Sequence, residues 1–309
     1  MIRPVSALLA AVFCLYVSKA GADPVASIRW LQQGTEVQAE AAFADAKTPF
    51  AIASIGKMMT AVAVLRVAER GDLGLEDAVV DWVPEGIIDG LAIPETLTIR
   101  QLLSMRSGLP DYLDDAFYDL DAPSAREALA HVYGEPLLFG PGEDFDYSNT
   151  NYVLLGLILE EATQVPYEEV MVREVFTPAG MAQAFVFGAR ELPAAFPNGH
   201  EGGEHVRAVY ARNRGFGDGG VISSAQDLGR FLSALFVEQS LLSEGSLRMM
   251  LDADDYGLGV EIDGPIVGHS GGDVGFASDA RVDLETGRIG IILVADGEAQ
   301  TWWAEEAVR

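Results

Sequence analysis

Cysteine is nearly absent from this 309-residue chain, which holds one, Cys14, close to its start. A single thiol closes no intrachain disulfide and supports no cysteine-based metal site. Lysine is almost as scarce: Lys19, Lys47 and Lys57 are the only three. Lysine and arginine together number 20 against 47 acidic residues, a formal net charge of −27. Such a chain repels a phosphate backbone and anionic membranes, which excludes nucleic-acid binding as its main role. Apolar runs of about 20 residues, the length that spans a bilayer, are missing as well, so no stable membrane span is expected. Internal repeats and low-complexity linkers are lacking. What remains is a chain with 49% hydrophobic residues and a mean hydropathy of +0.18, too apolar for disorder. Its length fits about one to two globular domains, either an enzyme or a binding protein.

The N-terminus carries an export pattern. Arg3 supplies a positive start, Ala7 to Val17 an apolar run, and Ala20-Gly21-Ala22 the small residues of a cleavage site. Residues 1–22 are therefore expected to be a signal peptide, leaving 23–309 in a bacterial periplasm or outside the cell. Cleavage would remove Cys14, and the mature protein would depend on its core alone.

Lys57 to Arg70 is apolar on nearly every turn and is followed by Gly71, which predicts a buried helix with a glycine C-cap. Thr98 opens a second helix, Ile99 to Met105. Ser124, Asn151 to Ala162 and Tyr167 to Phe176 mark three more. Ser224 with Asp227 resembles a capping box for a helix running to about Val237. Short strands are expected at Ile28–Phe43, Tyr256–Ile262, Ile266–His269, Val274–Val282 and Arg288–Val294, with a last helix at Thr301–Val308. Helices in the middle and antiparallel strands late in the chain predict an α+β protein in which the first strands join the last in one sheet.

Three short constellations carry chemical potential. Ser54-Ile55-Gly56-Lys57 places a hydroxyl and an amine three residues apart, on one face of a helix. A helix N-terminus and a low-dielectric setting favour the neutral amine, which can help remove a serine proton. Taken alone, a serine cap with a solvated lysine explains the tetrapeptide better. Tyr147-Ser148-Asn149 offers a tyrosine for general acid–base work and an asparagine on the same side of an extended segment. A helix cap beside a packed tyrosine would also account for it. Gly268-His269-Ser270-Gly271-Gly272 lies between two expected strands, where glycines mark close approach of a ligand to backbone. It also matches the nucleophile elbow G-x-S-x-G, but all four histidines precede Ser270, so the histidine that such enzymes need after the serine is missing. Gly215 to Gly220 contains G-x-G-x-x-G without a surrounding βαβ unit, so no dinucleotide site follows. Histidine spacing offers no metal site, and no cofactor is expected.

In this order the three pieces resemble the serine β-lactamase and penicillin-binding-protein superfamily, in which S-x-x-K, Tyr-x-Asn and a K-T-G-like strand triad surround one site. Tyr-Ser-Asn followed late by His-x-Gly is similar to the class C-related branch, which holds β-lactamases, D-alanyl-D-alanine carboxypeptidases, D-aminopeptidases and esterases. Pro49 to Ser54, Leu97 to Pro110, Pro141 to Glu160, Gly219 to Phe231 and His269 to Asp283 carry the likeness.

The resemblance implies an antiparallel sheet flanked by helices (23–53 and 215–309) packed on a mostly helical part (54–214), with the site between them. By matching positions, Ser54 is the nucleophile, and Lys57 with Tyr147 manages its proton. Asn149, His269, Ser270 and Gly271 contact substrate, and the backbone N–H groups of Ser54 and Gly272 form the oxyanion hole. Substrate walls are expected from the loops Asp111–Asp121 and Pro193–Arg214. His269 stands where the pattern has lysine, which favours a peptidase or esterase over a β-lactamase. With a reference pKa of about 6.5, it is expected to attract a substrate carboxylate in mild acid and to lose that attraction toward pH 8. The favoured reading is an acyl-serine hydrolase of a D-amino-acid peptide, D-Ala-D-Ala carboxypeptidase-like, or of a small ester. The alternatives are a class C-like β-lactamase and a catalytically weak protein that binds or senses peptidoglycan peptides. The expected partner is a small-molecule or peptide substrate, with peptidoglycan among the candidates.

Overall fold

The computed structural model describes residues 25–114, 117 and 122–309. The signal-peptide expectation for 1–22 falls outside them. Among the described residues no helix is long and apolar enough to cross a membrane.

The main sheet joins both ends of the chain. β1 (Ser27–Gln33) and β2 (Glu36–Ala42) form an N-terminal hairpin. β3 (Phe50–Ala51), β4 (Phe185–Val186) and β7 (Val221–Ser223) make a small second sheet, and β5 (His200–Glu201) pairs with β6 (Glu204–His205). β8 (Glu261–Asp263), β9 (Ile266–Asp273), β10 (Phe276–Asp283) and β11 (Arg288–Val294) complete the large sheet in the order β2-β1-β11-β10-β9-β8. β1 runs antiparallel to β11 over its whole length, from Ser27↔Val294 to Gln33↔Arg288. The first strands therefore do join the last.

Burial explains the strand sequences. Arg288–Val294 is a nearly unbroken apolar run because both faces are covered. Ile289, Ile291 and Leu293 face the main core, whereas Ile292 and Val294 pack with Ala304. β2, with Glu36, Gln38 and Glu40, is the exposed edge, where charge discourages further pairing.

The helices are α1 (Gly56–Glu69), α2 (Glu85–Leu91), α3 (Ile99–Leu103), α4 (Ala125–Ala130) and α5 (Asn149–Thr163), followed by α6 (Tyr167–Met171), α7 (Arg207–Arg212), α8 (Ala225–Leu232), α9 (Glu244–Met250) and α10 (Trp303–Val308). α1 is buried on almost every face, which its sequence required. It ends at Gly71, whose φ of +79° lets its N–H return to the Ala68 carbonyl at 2.9 Å. Thr98 and Ser124 each close a reciprocal capping box, with Gln101 and Glu127 respectively. Ser224 caps α8 through the Asp227 N–H, and a wider helical turn continues to Val237.

Two expectations need correction. The strand expected over Tyr256–Ile262 is confined to Glu261–Asp263, with one isolated bridge from Tyr256 to Glu261. Gly259 has a φ of +77°, and a Cβ on Gly257 would lie 2.0 Å from the Met250 carbonyl oxygen, so a glycine turn replaces the pleat. The strand expected to stop at His269 continues through Ser270, Gly271 and Gly272 to Asp273, and the turn comes at Val274-Gly275.

Candidate active site

Ser54 lies in a single tight helical turn, Ala53–Ile55, that leads into α1. No side-chain bond caps either helical segment, so Ser54 does not serve as a cap. Its hydroxyl meets Lys57 Nζ at 3.0 Å instead. Ala53, the residue before it, has a φ of +48°, a left-handed conformation that costs an L-residue on the order of 1 kcal/mol. β9 holds it there. A Cβ on Gly271 would lie 2.7 Å from the Ile52 carbonyl oxygen and 2.4 Å from Ser278 Oγ, so only glycine lets the strand come this close.

Lys57 is fully buried. Its Nζ also donates to Asn149 Oδ1 at 2.7 Å and to the Asp218 carbonyl at 2.5 Å. Asn149 cannot be flipped, because its Nδ2 donates to Asp111 Oδ2 at 2.9 Å. Two acceptors without protons thus take two N–H bonds in either charge state. The third position faces Ser54, where an ammonium donates and a neutral amine accepts the hydroxyl proton. A proton can therefore pass between Oγ and Nζ without disturbing any other bond.

Asn149 is the first residue of α5 rather than part of an extended segment, because the helix starts two residues earlier than expected. Tyr147, just before it, is half-buried. Its ring centroid lies 5.0 Å from Lys57 Nζ and 6.1 Å from the His269 ring.

His269 is buried, with Nδ1 2.6 Å from the Ser270 carbonyl and Nε2 3.3 Å from the Tyr256 hydroxyl. Burial pushes its pKa down to about 4, with Lys57 and Arg281 adding to the effect and Glu261 opposing it. Burial thus works against the positive charge that the expected attraction for a carboxylate in mild acid requires. Desolvation dominates here, and exposed reference values do not include it.

The Ser270 N–H points away from β10 toward Glu261, at 3.3 Å. Backbone direction alternates along a strand, so the Gly272 N–H faces the same way, off the ladder. The Ser54 N–H belongs to the first turn of a helical segment, where N–H groups lack intrahelical acceptors. Both residues line one cavity that is open to solvent. Its walls include Tyr112, Leu113 and Phe117 on one side and Val209, Tyr210 and Arg214 on the other, so both expected loops contribute. Asp218 and Asp273 also face it.

Sequence reasoning missed Asp111, Asp218, Asp273 and Glu261. A signal existed for Asp218 in the glycine-rich run discounted as a nucleotide motif. A Cβ on Gly217 would lie 2.2 Å from the Tyr152 carbonyl oxygen and one on Gly219 3.0 Å from Ala53 backbone, so the run lets the Asp218 carbonyl reach Lys57. Among the described residues no group of three or more His, Cys, Asp or Glu side chains converges as a metal site requires.

The chain matches the family described as Beta-lactamase over residues 19–302. Penicillin-binding protein 4* of Bacillus subtilis (strain 168) is 31% identical over 264 residues, which cover 74% of this chain and 56% of that protein. The chain thus spans about half the length of that relative. Among solved structures, a penicillin-binding protein from Bacillus halodurans superposes with a TM-score of 0.79 at 26% identity, covering 91% of this chain and 92% of the other. A D-stereospecific amidohydrolase from Streptomyces sp. has a TM-score of 0.78 at 23% identity over 94% of both chains. The D-amino acid amidase of Ochrobactrum anthropi SV3 reaches 0.75 at 23% identity over 92% of this chain and 93% of that one. At those identities the last two comparisons speak for the fold.

Proposed function

Because the chain belongs to the β-lactamase family, we propose that it is a serine hydrolase that cleaves amides or esters of D-amino acids through an acyl-serine intermediate. The observation that carries this reading is the bonding around Lys57 Nζ, which leaves one position to exchange a proton with Ser54. In the proposed reaction Ser54 Oγ attacks the substrate carbonyl and its proton moves to Lys57. The carbonyl oxygen gains negative charge against the Ser54 and Gly272 N–H groups. As the carbon–nitrogen or carbon–oxygen bond breaks, the proton reaches the leaving group by way of Tyr147. Water then attacks the acyl carbon, its proton returns by the same route, and Ser54 is regenerated. Two structural neighbours, a D-amino acid amidase and a D-stereospecific amidohydrolase, support the choice of substrate class. Export of the protein, from the pattern in residues 1–22, belongs to the same proposal.

The test is intact-mass analysis after exposure to a fluorophosphonate probe, alongside turnover of D-phenylalanine amide and its methyl ester. Wild type should gain one probe mass, mapped to Ser54, and should turn over at least one substrate. Ser54→Ala should do neither. Probe mass on Ser270, or turnover surviving in Ser54→Ala, would overturn the assignment. A stable Ser54 adduct without turnover of any substrate would favour the binding or sensor role.

A further inference from the structure

β8 pairs with β9 only as far as Glu261↔Gly268. Beyond that pair the N–H groups of Ser270 and Gly272 run along an edge with no partner strand among the described residues. Gly272 faces open space next to Ser54. Ser270 is occupied from within the molecule: Glu261 Oε1 accepts its O–H at 2.8 Å and its N–H at 3.3 Å. A strand advances about 3.3 Å per residue, so the N–H that Glu261 occupies lies about 7 Å along the edge from the Gly272 N–H.

Arg281 offsets the charge on Glu261 only in part, because it is shared with Asp279, whose own pKa burial raises to about 7. Glu261 Oε2 binds Arg281, and Arg281 Nε binds Asp279 Oδ1 at 2.6 Å, so one guanidinium serves two carboxylates. His269 Nδ1 lies 3.4 Å from Glu261 Oε1, and burial works against its taking a charge there. Asp218 and Asp273, in the cavity wall, have the same sign as Glu261. A second carboxylate held about 7 Å from Glu261 at an effective dielectric near 20 would be disfavoured by roughly fiftyfold.

We propose that Glu261 fills the anion-accepting stretch of the β9 edge and is a specificity-determining residue, so that the enzyme takes substrates with an amide or ester beyond the scissile bond and rejects those with a free carboxylate. The inference rests on the acyl-serine reading above and narrows it, away from a carboxypeptidase and toward an amidase, esterase or hydrolase of capped peptides. Glu261 acts through charge and by occupying Ser270, and takes no part in bond making.

Release of D-phenylalanine from D-Phe-D-Ala and from D-Phe-D-Ala amide, at pH 7.5, reads the preference directly. Wild type should favour the capped dipeptide at least tenfold in kcat/KM. Glu261→Gln retains an acceptor for Ser270 but loses the charge, and should cut that ratio at least fivefold. Glu261→Ala frees both Ser270 and Arg281 and should bring the ratio to one or below. The acylation rates of Ser54 by benzylpenicillin and by its methyl ester, read by intact mass, report the same preference without turnover and should favour the ester in wild type only. A wild-type ratio near one in both assays, or a ratio unmoved in both variants, would overturn the role of Glu261. In either case Ser54 labelling by the fluorophosphonate stays intact, whereas failure of that labelling in wild type would overturn the acyl-serine reading and this inference with it.

Discussion

Lys57 and His269 show how burial decides what a titratable side chain does. Each is almost fully enclosed, yet Lys57 has three polar partners while His269 has no strong one for its Nε2. Asp273, partly exposed in the cavity wall, is a third group whose charge its surroundings set. Burial and the nearby Asp218 raise its pKa to about 6, against the Val274 N–H, the Tyr210 hydroxyl and Lys57, which lower it. Below pH 6 Asp273 is neutral, and above it the cavity wall gains a negative charge. The ratio of kcat/KM for a choline ester to that for its neutral 3,3-dimethylbutyl analogue should therefore rise as pH rises through about 6. Asp273→Asn should flatten it, whereas His269→Gln should leave the rise in place. If the histidine variant flattened the curve and the aspartate variant did not, Asp273 would lose this role.

At the scale of elements, the site depends on β9 lying against the turn that carries Ser54. Gly271 and Gly272 are neighbours with opposite constraints: a methyl on Gly271 meets the Ile52 carbonyl and Ser278, and one on Gly272 meets nothing within 4 Å. Overpacking against backbone costs about 1–3 kcal/mol, equivalent to a fall of at least about 2 °C in the melting temperature of a protein this size. Gly271→Ala should melt lower by that margin and acylate more slowly, because the strained Ala53 turn must move. Gly272→Ala should melt within about 1 °C of wild type. Differential scanning calorimetry of the pair settles it, and equal melting temperatures would sink the packing argument.

At the scale of the whole molecule, the sheet is closed by pairing residues more than 250 positions apart, as in Ser27↔Val294. β1 buries Ile28, Trp30 and Leu31. At about 1.5–3 kcal/mol for each buried large apolar side chain, their loss approaches the roughly 5–15 kcal/mol that keeps a domain folded. A chain lacking residues 1–45 should therefore lose its cooperative thermal transition and near-UV circular dichroism. A sharp transition in that truncated chain would show that the hairpin is dispensable. With a net charge of −27, self-repulsion offers no compensation.

Local signals were read correctly where local physics decides: the buried helix ending at Gly71 and the helix starts at Thr98 and Ser124. Ser54, Lys57 and Asn149 were legible because their types and order resemble a known pattern, and the first two also because of their three-residue spacing. Three features were not legible, each set by contacts between distant segments. Lys57 is held by Asp218, 161 residues away, through a carbonyl that any residue type could supply. Folding removes water from His269 and so works against its charge, which no neighbour in sequence reports. Glu261 reaches Ser270 because a hairpin at Asp263–Ile266 turns β8 back along β9 and ends the pairing one register pair before the active-site edge. Sequence alone determined which elements form and which side chains are capable of the chemistry. Tertiary structure decided which of them meet and how far each is desolvated, because desolvation and contact geometry arise only once the chain has packed.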